Sequence, residues 1–129
     1  MKIGAYQFAV SNKISQNMEV IGKAIVQASQ EGVKLLVFPE CALTGYPPRD
    51  MESVSLVSFD ELDCAYEQIQ KTVNENAVNI IAGTITRENG GYYNSAVAFT
   101  PYRERQVYHK RALWGWDREN FTAGNNNGI

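Results

Sequence analysis

The sequence has few of the side chains that metal centres and disulfide scaffolds require. Among its 129 residues there are two cysteines, Cys41 and Cys64, and one histidine, His109. Two thiols do not form a disulfide framework, and a chain with no second histidine and no C-x-x-C spacing does not offer a zinc site. We therefore expect no bound metal, and we interpret both cysteines as small, buried, apolar side chains.

The chain also lacks an excess of charge and a long apolar run. Lys and Arg number 12 against 14 Asp and Glu, a net charge of −2, whereas nucleic-acid-binding domains carry a positive excess. No apolar stretch approaches the ~18 residues of a membrane helix, and the amino-terminal stretch has no small-residue cleavage site of a signal peptide. We expect a cytoplasmic protein that binds neither nucleic acid nor membrane. A P-loop, a G-x-G-x-x-G loop and a G-x-S-x-G nucleophile elbow are also missing.

The pattern that is present is that of a single α/β domain. Hydrophobic residues make up 44% of the chain, enough for a core at this length. Helices between strands are typical of an α/β chain with helices packed on a central sheet. Apolar periodicity predicts the order β-α-β-α-β-β-β, with helices over residues 12–31 and 60–76 and strands over residues 2–10, 35–38, 79–86, 92–100 and 105–109.

Details of this pattern make further predictions. One apolar face of the second helix should be formed by Leu62, Ala65, Tyr66, Ile69 and Val73. The continuous apolar run at 35–38 suits a strand covered on both faces. The connection over residues 39–58 is long for a passive loop, and residues 110–129 have no regular pattern.

Two charged residues directly follow predicted strands, where the chemistry of open α/β sheets gathers. Glu40 comes after the apolar run, so we expect a partly desolvated carboxylate that suits a general base; the alternative is a carboxylate that caps loop N–H groups. Lys110 follows the strand that ends at His109. A lysine there could stabilise a developing oxyanion, or it could be a solvated residue at a strand end.

Other residues keep two interpretations. Tyr46, which precedes two prolines, belongs to a surface turn or to a pocket wall that contacts substrate. Trp114 either anchors its segment in the core or lines that pocket. Cys41 adjoins Glu40, but neighbours on an extended chain point to opposite sides, so a base for Cys41 would have to come from elsewhere. A Ser-His-Asp arrangement centred on His109 also stays open.

Two segments, LLVFPECALTGYPPRD at residues 35–50 and VYHKRALWGWDRENFTAG at residues 107–124, together resemble the nitrilase, or carbon–nitrogen hydrolase, family. The first strand, KIGAYQF, fits the family too, and the resemblance runs along the whole chain. It implies a four-layer α-β-β-α sandwich with two similar halves. Residues 1–129 are then the amino-terminal half of a single domain, truncated before the nucleophile.

The catalytic set of that family is a glutamate, a lysine and a cysteine. The resemblance implies that Glu40 is the general base and that Lys110 stabilises the tetrahedral intermediate. It also implies a second acidic site residue, which we assign to Glu119, with Asp117 as the rival for that position. The nucleophilic cysteine of the family lies a few dozen residues beyond the lysine, and this sequence stops at Ile129, before that point.

The implied reaction is hydrolysis of the carbon–nitrogen bond of a small amide or nitrile, without a metal or an organic cofactor, and we expect this chain alone to be inactive. A glutaminase that supplies ammonia is a variant of this hypothesis, because the LTGYPP loop resembles such domains. A non-catalytic remnant or assembly module with the same fold is the alternative.

The sheet face that would pack against the second half should be apolar and uncovered, so we expect pairing with a complementing carboxyl-terminal half or with another copy.

Overall fold

The computed structural model describes residues 1–125, which form strands and long helices in the predicted order. A 3₁₀ turn, Val54–Leu56, and a four-residue helix α3, Asp117–Asn120, lie in the two segments predicted as irregular. β1 is shorter than predicted because its neighbour in the sheet, β2, is itself three residues long. The main elements are β1 (Ile3–Ala5), α1 (Ile14–Gln30), β2 (Leu35–Val37), α2 (Phe59–Asn76), β3 (Asn79–Glu88), β4 (Gly91–Phe99) and β5 (Gln106–His109).

A five-stranded sheet in the order β1-β2-β3-β4-β5 carries the fold. The first three strands run parallel, with Leu36 opposite Ile80, whereas β3, β4 and β5 are antiparallel neighbours, with Ile80 opposite Phe99. The predicted β3–β4 hairpin turns at Asn89 and Gly90, whose φ angles of 48° and 77° are the positive pair that a type I′ turn requires. The sheet therefore joins a parallel half, connected by helical crossovers, to an antiparallel half closed by short loops.

α1 and α2 pack side by side against one face of the sheet. Ser58 caps the start of α2, because its hydroxyl accepts a hydrogen bond from the Glu61 N–H at 3.3 Å. No helix within residues 1–125 combines the length and the apolar character of a membrane-crossing segment. The apolar face predicted for α2 is confirmed, since it buries Leu62, Ala65, Tyr66, Ile69 and Val73.

The opposite face of the sheet is apolar and largely uncovered by the described residues. Alternation along the strands turns Leu36, Ile80 and Phe99 towards the helices, so the residues between them face the other way. β2 is thus covered mainly on one face, and the prediction of a strand covered on both faces is wrong for the described residues. The residues on the open face are half-buried or exposed and include Ile3, which is 58% exposed, Leu35, Val37, Ile81 and Ala98.

The two irregular segments cover only the carboxyl end of that face. Cys41, Met51 and Val54 from the long loop pack with Ile85 of β3 and with Phe121 from the carboxyl-terminal segment. This small apolar cluster fixes both segments at the edge of the sheet where the parallel strands end. The two segments that carry the candidate site residues are therefore held next to each other.

Candidate active site

The carboxyl ends of β2, β3 and β5 lie at one edge of the sheet, and two residues predicted to carry chemistry meet there. Glu40 follows β2, Lys110 follows β5, and the Lys110 ammonium lies 2.9 Å from Oε1 of Glu40. The structure thus brings together two side chains that are 70 positions apart in the sequence. The Glu40 side chain is 52% exposed, so it is less desolvated than its place after an apolar strand predicts.

Gly83 of β3 sets the position of the Glu40 loop. Its N–H donates to the Pro39 carbonyl at 3.2 Å, and its own carbonyl accepts from the Leu43 N–H at 3.1 Å. A Cβ at this position would lie 2.5 Å from the Cys41 nitrogen and would overlap the Pro39 carbonyl oxygen. Glycine therefore allows the loop after β2 to approach β3 this closely.

Asp117 is the second anionic partner of Lys110. The ammonium lies 2.8 Å from Oδ2 of Asp117, whose side chain is only 2% exposed. The Tyr46 hydroxyl donates to Oδ1 at 2.9 Å, and the Trp114 N–H donates to Oδ2 at 3.4 Å. This buried carboxylate is therefore surrounded by donors, which compensates the loss of its hydration.

Glu119, which the sequence assigned as the second acidic residue, lies on the exposed side of α3. Within residues 1–125 its carboxylate makes no contact with Lys110, whereas Asp117, the rival, does. Positions two apart on a helical turn point in different directions, so the two acids cannot share one environment. The structure therefore brings Asp117 into the cluster and leaves Glu119 outside it.

Asn94 is a member of the cluster that sequence reasoning missed. Its Nδ2 donates to Oε1 of Glu40 at 2.6 Å and to Oδ1 of Asp117 at 3.3 Å. Its Oδ1 accepts from the Cys41 thiol at 3.8 Å. The signal available in the sequence is a polar residue within an otherwise apolar strand pattern, which does not reveal which loops reach it.

A cavity of about 820 Å³ adjoins this cluster and is lined in part by Glu40, Tyr46, Arg49 and Trp116. The structure thus supports the interpretation of Tyr46 as a pocket wall rather than a surface turn. Trp114 is 81% exposed, so its interpretation as a core anchor is wrong for the described residues. It does not line this cavity either, as its other interpretation, a pocket residue that contacts substrate, requires. Its neighbour two positions on, Trp116, reaches the cavity instead.

Burial and hydrogen bonding determine the charge states in the cluster. Burial raises the pKa of Tyr46 to about 12, and the hydrogen bond to Asp117 acts in the same direction. Burial disfavours the charge of Lys110, but its hydrogen bonds to Asp117 and Glu40 outweigh that effect and hold the Lys110 pKa above its usual value. Burial also disfavours the charge of Asp117, yet the hydrogen bonds from Lys110, Tyr46 and Asn94 hold its pKa below the usual range. At neutral pH Lys110 and Asp117 are therefore charged and Tyr46 is a neutral donor.

The two cysteines have opposite environments. Cys41 is fully buried, as predicted, and burial together with the charges of Glu40 and Asp117 raises the pKa of its thiol. Cys64 is exposed on α2, so the prediction that it is buried is wrong; it lies outside the apolar face of that helix. A protonated, buried thiol is a poor nucleophile.

His109 belongs to a separate polar group on the helix side of the sheet. One ring nitrogen lies 2.7 Å from the Ser95 hydroxyl, the other lies 2.8 Å from Glu88, and the ring stacks on Tyr93. Ser95 is 4% exposed, which keeps its hydroxyl away from a substrate in solution. Ser95 and His109 are therefore a buried, hydrogen-bonded pair that supports β4 and β5, whereas the side chain of the acid, Glu88, is 59% exposed.

Replacing Asp117 by asparagine tests the ion pair through its pH dependence. Because the folded chain lowers the Asp117 pKa, the ionised residue stabilises the fold above the unfolded pKa of about 3.9, and this contribution is lost as the pH falls through the folded pKa. We expect the free energies of unfolding of the native chain and Asp117→Asn to differ most at neutral pH and to converge below about pH 4. Urea denaturation across this range measures the difference. Glu119→Gln is the matched control, and a difference for Asp117→Asn that does not change with pH would contradict the ion pair.

Comparison with known proteins gives one consistent family. The sequence model described as carbon-nitrogen hydrolase matches residues 2–127. A protein N-terminal amidase from Schizosaccharomyces pombe is 33% identical over 135 residues, which cover 96% of this chain and 47% of the amidase. A glutamine-dependent NAD(+) synthetase from Synechocystis is 33% identical over 81% of this chain and 20% of its own length. Omega-amidase NIT2 from Xenopus tropicalis is 28% identical over 85% of this chain and 39% of its own length.

Solved structures show the same fold. An amidase from Nesterenkonia sp., a protein of the nitrilase superfamily, superposes with a TM-score of 0.83 at 22% identity. The match covers 98% of this chain and 49% of that amidase, so the chain spans about half of the solved protein and less than half of each curated relative above. The predicted fold class, α/β of the nitrilase type, is confirmed. Because the family match extends over nearly the whole sequence, the chain belongs to the carbon–nitrogen hydrolase family.

Proposed function

We propose that residues 1–129 are the amino-terminal part of an amide-hydrolysing domain, in which Glu40 is the general base and Lys110 stabilises the oxyanion. The observation that carries this proposal is the 2.9 Å contact between the two side chains beside the 820 Å³ cavity. A base and a cation act on one reacting carbonyl only when both reach it. The two alternatives, a solvated lysine at a strand end and a carboxylate that caps a loop, do not account for the contact between Lys110 and a glutamate that lines the cavity.

In the proposed reaction a cysteine thiol attacks the carbonyl carbon of a small amide. The Glu40 carboxylate takes the thiol proton as the S–C bond forms, and the carbonyl oxygen becomes an oxyanion that the Lys110 ammonium binds. Glu40 then donates that proton to the nitrogen, the C–N bond breaks, and ammonia or an amine leaves a thioester behind. Water attacks the thioester while Glu40 takes its proton, the acid departs, and the proton returns to the thiolate. These steps need the cysteine thiol and the two charged side chains, and the proposal includes no metal or organic cofactor.

The proposal assigns the nucleophile to a cysteine outside residues 1–129. Cys41 adjoins Glu40, but its thiol is buried, donates to Asn94 and has a raised pKa. Cys64 lies on the exposed side of α2, on the helix layer rather than at the strand ends. Neither thiol is therefore suited to attack a substrate in the cavity, and the site needs a second segment that carries the sulfur.

A small amide is the substrate class that we favour over a nitrile, since the relatives from Schizosaccharomyces and Xenopus are named amidases. The glutaminase variant draws on the LTGYPP loop and on the similarity to a glutamine-dependent synthetase. We place the reaction in the cytoplasm. Direct substrate contact by Tyr46 is part of the proposal because its ring lines the cavity, whereas Trp116 takes the position expected of Trp114.

The proposed base is tested by ammonia release from small linear amides. The chain is expressed with the coding sequence that follows Ile129 in its gene, and ammonia is measured with a coupled enzyme assay. We expect Glu40→Gln to lower the rate by about 10²–10⁴-fold, because it removes the proton acceptor. Glu52→Gln, an exposed acid in the same loop, is the matched control and should leave the rate unchanged.

Two results would contradict parts of this proposal. Turnover that survives Glu40→Gln would exclude Glu40 as the base. An absence of ammonia release, together with the absence of an in-frame cysteine in the following sequence, would favour the non-catalytic remnant. Residues 1–129 alone are expected to release no ammonia.

We also propose that the open sheet face is covered in the working protein by the carboxyl-terminal half of the domain, and that residues 1–129 alone pair through this face with a second copy. Size-exclusion chromatography of this 14.4 kDa chain should then give an assembly larger than a monomer. Ile81→Asp places a charge on the open face and should restore the monomer. Val26→Asp, on the outer surface of α1, should not, and a native chain that elutes as a stable monomer would contradict the proposal.

A further inference from the structure

Asn94 closes a ring of polar contacts at the candidate active site. Its Nδ2 lies 2.6 Å from Oε1 of Glu40 and 3.3 Å from Oδ1 of Asp117. The Lys110 ammonium lies 2.9 Å from the same Glu40 oxygen and 2.8 Å from Oδ2 of Asp117. Within this ring two donors alternate with two carboxylates, and Asp117 additionally accepts from the Tyr46 hydroxyl and the Trp114 N–H.

The main chain of Asn94 takes part as well. Its carbonyl accepts from the Lys110 N–H at 2.8 Å, which ties the backbone of the lysine to β4. The Asn94 residue is 4% exposed, and its Oδ1 is occupied by the Cys41 thiol. Because both ends of this buried amide are engaged, the side chain has one favourable orientation. A single residue therefore holds the Glu40 carboxylate through its side chain and the main chain of Lys110 through its backbone carbonyl.

We propose that Asn94 is a positioning residue that orients the Glu40 carboxylate towards the attacking thiol. Asn94 and Lys110 both bind Oε1, which leaves Oε2 without a donor among residues 1–125. Oε2 is then the oxygen that takes the proton of the nucleophile. The consequence for catalysis rests on the function proposed above, whereas the ring of contacts does not.

Charge explains why a neutral amide stands at this position. Glu40 and Asp117 place two carboxylates around the single ammonium of Lys110. An amide bridges the two acids without adding charge. An aspartate of the same shape would replace the donor by a third carboxylate facing the other two, which repels both. The substitution Asn94→Asp thus changes the chemistry of the ring with little change in volume.

The first test measures the hydrogen bond between Asn94 and Glu40 in variants that keep Asn94. Hydrogen exchange of the Asn94 side-chain amide is followed by NMR in the native chain, in Glu40→Ala and in Glu52→Ala. We expect at least about tenfold faster exchange in Glu40→Ala, because a hydrogen bond to a charged acceptor is lost. Glu52→Ala, outside the ring, should match the native chain. Equal exchange in Glu40→Ala and the native chain would overturn the inference.

The second test measures the kinetic effect of Asn94 substitutions in the protein extended beyond Ile129. We expect Asn94→Asp to lower kcat at least about tenfold with KM nearly unchanged, because a misdirected base slows the chemical step. Asn120→Asp, the same substitution on α3 outside the ring, should keep the native kcat. Asn94→Ala serves where the aspartate variant does not fold, and a folded Asn94 variant with native kcat would overturn the positioning role. If the extended protein with Asn94 intact releases no ammonia, the proposed function is contradicted. The hydrogen-exchange measurement then still tests whether Asn94 binds Glu40 as the structure shows.

Discussion

The ion pair between Lys110 and the buried carboxylate of Asp117 is the interaction on which the rest of the site depends. An ionised carboxylate that is only 2% exposed loses most of its hydration, which costs several kcal/mol unless donors replace the water. The replacement comes from the Lys110 ammonium at 2.8 Å and from the Tyr46 hydroxyl at 2.9 Å. Satisfying Asp117 therefore holds the lysine at the end of β5, where it also reaches Glu40. The arrangement that the proposed chemistry needs and the arrangement that a stable buried charge needs are the same.

Three parts of the fold position this pair and its neighbour Glu40. β5 delivers Lys110, α3 delivers Asp117, and Gly83 of β3 allows the loop that carries Glu40 to lie close to the sheet. Among the described residues the helices cover one face of the sheet only. The site therefore lies at the boundary between the helix-covered core and the open apolar face. In the function proposed above, a second half of the domain would supply both the cover for this face and the nucleophile.

Local patterns predicted much of this architecture because they depend on neighbouring residues alone. The apolar face of α2 and the hairpin at Asn89 and Gly90 follow from periodicity and turn chemistry. These rules need no knowledge of distant contacts, which is why they transfer from sequence to structure.

What the sequence did not predict depends on long-range packing. Asp117 and Glu119 stand two positions apart on a short turn, and only the direction of that turn decides which one reaches Lys110. In the sequence Asn94 is only a polar residue within an apolar strand pattern. Its role depends on its contacts with Glu40 and Asp117, which come from two distant segments of the chain. For the same reason Trp114 is exposed, whereas Trp116 lines the cavity.

A double-mutant cycle on Lys110 and Asp117 tests the central claim most directly. Lys110→Met, Asp117→Asn and the combined variant are compared with the native chain by urea denaturation at neutral pH. The account predicts a coupling energy of about 1–3 kcal/mol. The combined variant should therefore lose less free energy of unfolding than the sum of the losses of the two single variants. A coupling energy indistinguishable from zero would contradict the account, because the two charges would then not stabilise each other in the folded chain.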